Sequence, residues 1–192
     1  IGSISAQVIA HMCVNDHYAN RFDLLMALSE ALNQEYHFLA DAGAPIVQVE
    51  EPAIHQSMHS IKPEITPEQY VAAFNREVSG LRDKCEVWCH TCWGSPGAQK
   101  MFPSAASYEH ALPYFDQLDI DILTVEGASN GGLDIPFYGS MISKDKKIAV
   151  GVISHRTLQV ERPEEVADLI RRCLEHIEPE RLILSSDCGF GR

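Results

Sequence analysis

The sequence predicts an α/β protein, a (β/α)8 barrel present here as a fragment, and three observations lead there. Short β-rich runs alternate with longer amphipathic runs, the pattern of parallel strands joined by crossover helices. No glycine-rich phosphate loop is present, because Gly127-Ala128-Ser129-Asn130-Gly131-Gly132 fits neither the dinucleotide nor the P-loop spacing. The residues able to do chemistry fall at the C-terminal ends of several different strands, as on the catalytic face of a barrel. With 192 residues and 45% hydrophobic content the chain can bury one good-sized core, so residues 1–192 read as a single, partial catalytic domain. Six βα units are visible where a barrel needs eight. The expectation is a barrel lacking its early βα units and its last helix.

In chain order, the strand candidates are Ile4–Ala10, Pro45–Val49, Glu86–Thr91, Ile122–Glu126, Lys147–Ile153 and Leu182–Ser186. Between them, helices are expected near Arg21–Ala42, Pro67–Leu81, Tyr108–Leu118, Ile135–Ile142 and Pro163–Ile177. Phe22, Leu25, Leu28, Leu32, Tyr36 and Leu39 recur at helical spacing, and Gly43 supplies a stop. Thr66-Pro67-Glu68-Gln69 offers an N-cap, a proline at the first helical position and a glutamine that can close a capping box. Arg162-Pro163-Glu164-Glu165 starts another helix with proline and acids, which suit the positive end of the helix dipole. The stretch from Gln56 to Thr66, flanked by His55 and containing His59, reads as the one long irregular connection.

Composition excludes several classes of function. A net charge of −12 without a basic stripe argues against nucleic acid or an anionic membrane surface as partner. No apolar run approaches the roughly 20 residues needed to cross a bilayer. The six cysteines lie in a long, helix-rich chain rather than a short loop-rich one, so reduced thiols in the cytoplasm are expected rather than a disulfide framework.

The chemistry begins at Trp88-Cys89-His90-Thr91-Cys92-Trp93-Gly94. Strand side chains alternate faces, so His90 and Cys92 point one way and Cys89 the other. Alone, His-x-Cys fits a buried core as well as it fits a metal. Two further strand ends shift the balance: Thr124-Val125-Glu126-Gly127 ends on a carboxylate, and Ser185-Ser186-Asp187-Cys188-Gly189 ends on a thiol. One nitrogen, two sulfurs and one carboxylate make a four-coordinate zinc shell, and soft thiolates favour zinc over magnesium or calcium.

These residues resemble the C-terminal catalytic barrel of the cobalamin-independent methionine synthase family and its single-barrel relatives. The likeness includes Val47-Gln48-Val49-Glu50-Glu51-Pro52-Ala53, similar to the family's acidic-Glu-Pro-Ala segment. It includes Gly151-Val152-Ile153-Ser154-His155, where the family ends a strand on a functional histidine. It covers nearly the whole chain in the same order. The resemblance implies zinc held by His90, Cys92, Glu126 and Cys188. It implies methyl transfer to the thiol of homocysteine, giving methionine, with methyl-tetrahydrofolate or a methyl-corrinoid as donor. Under it His155 is the catalytic acid, while Glu50, Glu51 and Asp187 bind the substrate amine or orient the site.

The sequence departs from the family at several points. Glu50 stands where the synthase has aspartate, and Trp93 stands where it has tyrosine. Ile1-Gly2-Ser3 resembles a homocysteine-contacting tripeptide of the family but lacks its following Phe-Pro, and its role is not carried over. No aromatic-rich loop for stacking a folate is evident. These differences point to the single-barrel relatives and leave a second reading open, alkyl transfer to another thiol as in epoxide–coenzyme M transferases. A zinc hydrolase fits less well, since two thiolates weaken the acidifying charge on a bound water. A purely structural zinc is disfavoured by ligands drawn from three strand ends.

Overall fold

A computed structural model of the chain describes residues 1–58, 63–94 and 107–190. They divide into two compact units, Ile1–His90 with Gln117–Asp121, and Thr91–Asp116 with the chain from Ile122 onward. The first contains β1 (Gly2–Ile4), α1 (Ala6–Met12), α2 (Arg21–Asp41), β2 (Ile46–Glu50), α3 (Ala53–Ser57), α4 (Pro67–Glu77), a 3-10 turn (Leu81–Asp83) and β3 (Glu86–His90). The second contains α5 (Leu112–Phe115), β4 (Ile122–Val125), α6 (Ile135–Met141), β5 (Lys147–Ile153), α7 (Pro163–Leu174) and β6 (Leu182–Ser186). In the first unit β1 pairs with β2 and β2 with β3, and in the second β4 pairs with β5 and β5 with β6, all in parallel. The predicted α/β class is therefore what the chain adopts.

Parallel strands covered on both faces read as continuous apolar runs. Ile122, Leu123, Thr124 and Val125 are all buried along β4, as are residues Ile148 to Val152 of β5. In α2, Leu25, Ser29, Tyr36 and Ala40 form the inward stripe, and the Asn20 side chain accepts the Asp23 backbone N–H as N-cap. Gly43, at φ +96°, adopts the left-handed conformation that lets the chain leave the helix. The predicted capping box at Thr66 forms, with Gln69 N–H donating to Thr66 Oγ1 and Thr66 N–H donating to Gln69 Oε1.

Several boundaries differ from expectation. Ile4–Ala10 is not one strand: pairing stops at Ile4 and α1 begins at Ala6. A short apolar run cannot be told from a buried helix by periodicity. What favours the helix is distant in sequence, because Glu77 Oε2 accepts the Ala6 backbone N–H at α1's first turn. α4 ends at Glu77, and Gly80, at φ +74°, leads into the 3-10 turn. The expected helix over Tyr108–Leu118 shrinks to α5, which starts at Leu112–Pro113. The supposed irregular stretch after Gln56 is shortened by α3, and His59 lies outside the described residues.

Candidate metal centre

Chain geometry at the end of β3 sets the first two donors. In β2–β3 register, Glu50 lies opposite His90 and Val49 opposite Cys89. Register partners of parallel strands face the same side, so Glu50 and His90 share one face and Cys89 the other. Cys89 is fully buried, and its thiol is pushed up by burial and then by the charges of Glu51 and Glu77. The strand-alternation argument thus holds for both pairs.

His90, Cys92 and Cys188 bring their ligating atoms within 4.8 Å of one another. Donors 2.0–2.3 Å from one tetrahedral ion lie about 3.5–3.8 Å apart, so small side-chain rotations would close the set. Cys188 follows β6 directly. A register shift in the β5–β6 pairing at Gly151 to Ile153 bends the strands just there, and the Asp187 backbone N–H donates to Ile153 O at 2.9 Å. The Cys92 thiol is pushed far above the ordinary cysteine range. Its hydrogen bond with Cys188 is the largest cause, then burial, the Cys188 charge and, less strongly, the Glu126 charge. Two thiols and a carboxylate therefore crowd together, and a divalent cation of borderline softness would supply the positive charge that lets both thiols ionise. No disulfide joins any of the six cysteines. The donor set fits zinc.

Glu126 is fully buried but lies outside that three-residue group. Protein donors hold its carboxylate. Trp93 N–H and Arg156 Nη2 donate to Oε1 at 2.9 and 2.6 Å, while Ser129 Oγ donates to Oε2 at 2.6 Å. Arg156 Nε adds a longer contact to Oε2 at 3.4 Å, and Nη1 donates to Gly94 O at 2.7 Å. The Tyr138 hydroxyl donates to the Glu126 backbone carbonyl at 2.9 Å. Sequence reasoning missed Arg156. The available signal was a cation immediately after a strand-ending histidine, where a nearby buried acid needs a partner.

The remaining predicted site residues separate into two kinds. Glu50 is half-buried at the tip of β2, beside His90. Glu51 is fully buried, and its carboxylate accepts the backbone N–H groups of Ala53 and Ile54 at 2.8 and 3.1 Å, capping α3. Burial pushes Glu51 up to about 8, against the pull of those two N–H groups and with a further push from Glu77. Asp187 is likewise used internally: it accepts the backbone N–H groups of Gly127, Ala128 and Ser129 at 2.8, 2.9 and 2.6 Å. Those bonds shape the turn that carries Glu126 and Ser129. The approach is tight, since a Cβ on Gly151 would sit 2.2 Å from Asp187 Oδ1 and one on Gly127 2.7 Å from Gly151 O. His155 is buried just past β5, directly before Arg156.

Comparison with known proteins gives a family match and several relatives. The family model described as "Cobalamin-independent synthase, Catalytic domain" matches residues 6–192. The methionine synthase of Saccharolobus solfataricus is 32% identical over 187 residues, 95% of this chain and 48% of that protein. The methionine synthase of Thermococcus kodakarensis is 31% identical over 184 residues, with the same coverage of each chain. A solved B12-independent methionine synthase from Shewanella sp. W3-18-1, in complex with selenomethionine, superposes with a TM-score of 0.82 at 28% identity, covering 98% of this chain and 54% of that one. A second solved chain, from Listeria monocytogenes, shares the fold with a TM-score of 0.68 at 18% identity, covering 99% and 57%. This chain spans about half the length of the curated relatives it matches. From residue 6 to residue 192, it belongs to the family of cobalamin-independent synthase catalytic domains.

Proposed function

We propose that the chain carries the zinc–thiolate centre of a methyltransferase that converts homocysteine to methionine, with a methyl-tetrahydrofolate or methyl-corrinoid as donor. The observation that carries this reading is the convergence of His90, Cys92 and Cys188 in a member of this family. The relatives named methionine synthase, and the selenomethionine bound to the Shewanella enzyme, support methionine chemistry. His90, Cys92 and Cys188 would hold the zinc, with Glu126 as an exchangeable fourth ligand whose harder oxygen is the weakest partner for a borderline-soft ion. When bound, zinc supplies the charge that keeps a substrate thiol ionised at neutral pH while leaving its sulfur able to attack carbon. Two reduced cysteines at such a centre suit the cytoplasm. Because the family match runs through both compact units, we assign them to one catalytic domain.

The other residues position substrate and protons. Glu50, on the face of His90, would pair with the amino group of the amino-acid thiol. With methyl-tetrahydrofolate as donor, His155 would donate a proton to the leaving amine as the methyl–nitrogen bond breaks and the methyl–sulfur bond forms. Glu51 and Asp187 contribute by holding the α3 start and the Glu126 turn in place.

Metal analysis of the purified protein tests this reading. We expect one zinc per chain in the wild type and loss of that zinc in Cys92→Ser with unchanged far-UV circular dichroism. Homocysteine should be methylated in preference to other thiols. A folded wild type that takes up no zinc would overturn the zinc centre. A zinc-bearing protein that alkylates a different thiol, and leaves homocysteine untouched, would instead favour the epoxide–coenzyme M transferase type of reaction, for which the longer Glu50 is the motivating difference.

A further inference from the structure

The buried ion pair Arg156–Glu126 is the feature the zinc reading leaves unexplained. Its side chains are 8% and 0% exposed, and the guanidinium reaches both carboxylate oxygens. Bringing two charges into such an interior is costly unless both are well paired. Helix capping and strand pairing do not require the pair, since the Glu126 turn is already shaped by Asp187 and Tyr138. Arg156 is also tied to the chain next to Cys92, through Gly94 O.

Charge accounting points to a role. Cys92 and Cys188 as thiolates, with neutral His90, neutralise a divalent cation. Glu126 as a further ligand makes the centre negative, and so does an incoming thiolate; both together would be strongly unfavourable. A carboxylate with a guanidinium to return to can leave without becoming an unpaired buried charge.

We propose that Arg156 is a positioning residue that receives the Glu126 carboxylate when a substrate thiol takes its place at the metal. In this exchange the thiol S–H releases its proton to solvent and a sulfur–metal bond forms. The Glu126 oxygen–metal bond breaks, and the carboxylate settles on Arg156, Trp93 N–H and Ser129 Oγ. No electrons are transferred. The receiving position is already built, since Glu126 rests on these three donors and outside the His90–Cys92–Cys188 group. The inference rests on the zinc–thiolate reading of the same site.

Cobalt substitution in the intact protein reads the exchange without turnover, because thiolate-to-cobalt absorption reports each sulfur ligand. Wild type should gain absorption on titration with homocysteine. In Arg156→Gln the thiol-free protein should bind Co2+ as tightly as wild type or more so, while its homocysteine affinity falls about tenfold. Arg156→Lys, which keeps the charge, should restore much of that loss and guards against a fold defect. In a Glu126→Gln background, whose neutral side chain needs no cation, the same Arg156→Gln change should leave homocysteine affinity essentially unaltered. An Arg156→Gln protein that binds homocysteine like wild type, or loses the same affinity with or without Glu126, overturns the inference and leaves the metal centre standing. A wild type that shows no thiolate-to-cobalt band overturns the metal centre itself, and this inference with it.

Discussion

At the scale of single residues, alternation along strands accounts for which acids and thiols meet. Glu50 and His90 fall on one face and Cys89 on the other, and a slip of one residue in register would exchange the faces. This much is legible in the sequence, as are Cys92 and Cys188 at strand ends. Arg156 is only half legible: a cation directly after a strand-ending histidine stands out, but no spacing rule connects it to the carboxylate 30 positions away that it holds. Asp187 reads from the sequence as a residue that orients the site or binds the substrate amine, and its carboxylate accepts three backbone N–H groups of the turn that carries Glu126. For His155, we expect His155→Gln to keep zinc and homocysteine binding and to slow methyl transfer by about 10²-fold or more, as for loss of a general acid. Single-turnover kinetics with the zinc-loaded protein checks this, and unchanged transfer would remove the histidine from the chemistry.

At the scale of elements, Glu77 stitches three helices of the first unit together. Its Oε2 accepts the Ala6 N–H that starts α1, and its Oε1 accepts the Tyr36 hydroxyl from α2 at 2.9 Å. Asn33 of α2 donates to the Glu77 backbone carbonyl at 3.0 Å. Burial pushes this carboxyl up to about 7 from its ordinary 4.5, against the pull of its two donors. The folded state therefore keeps a proton that the unfolded chain releases near pH 4.5. The stabilisation is fully present below that pH and declines by about 1.4 kcal/mol per pH unit as pH rises toward 7, then levels. Glu77→Gln should flatten the fall in stability between pH 5 and 7, as read from denaturation midpoints. An identical slope in the variant would show that Glu77 is already ionised in the folded protein. The same contact explains why α1 is a helix where the local sequence also suits a strand: the carboxyl group that favours the helix comes from α4.

At the scale of the whole molecule, the regular alternation of strand and helix made the α/β class visible. β5 and β6 keep the bounds expected of them, Lys147–Ile153 and Leu182–Ser186. Boundaries went astray where proline, positive-φ glycine or a distant cap set the limit, as at Pro113, Gly80 and Glu77. The fold brings strand ends together so that donors far apart in sequence, from His90 to Cys188, converge on one small volume. That convergence is what carries the proposed thiol chemistry. The most direct test is X-ray absorption at the zinc edge of the zinc-loaded protein, without and with homocysteine. The proposed centre predicts about two sulfur ligands at rest, rising to about three with loss of an oxygen or nitrogen neighbour when homocysteine is added. A zinc shell whose sulfur content does not change on adding homocysteine would contradict it.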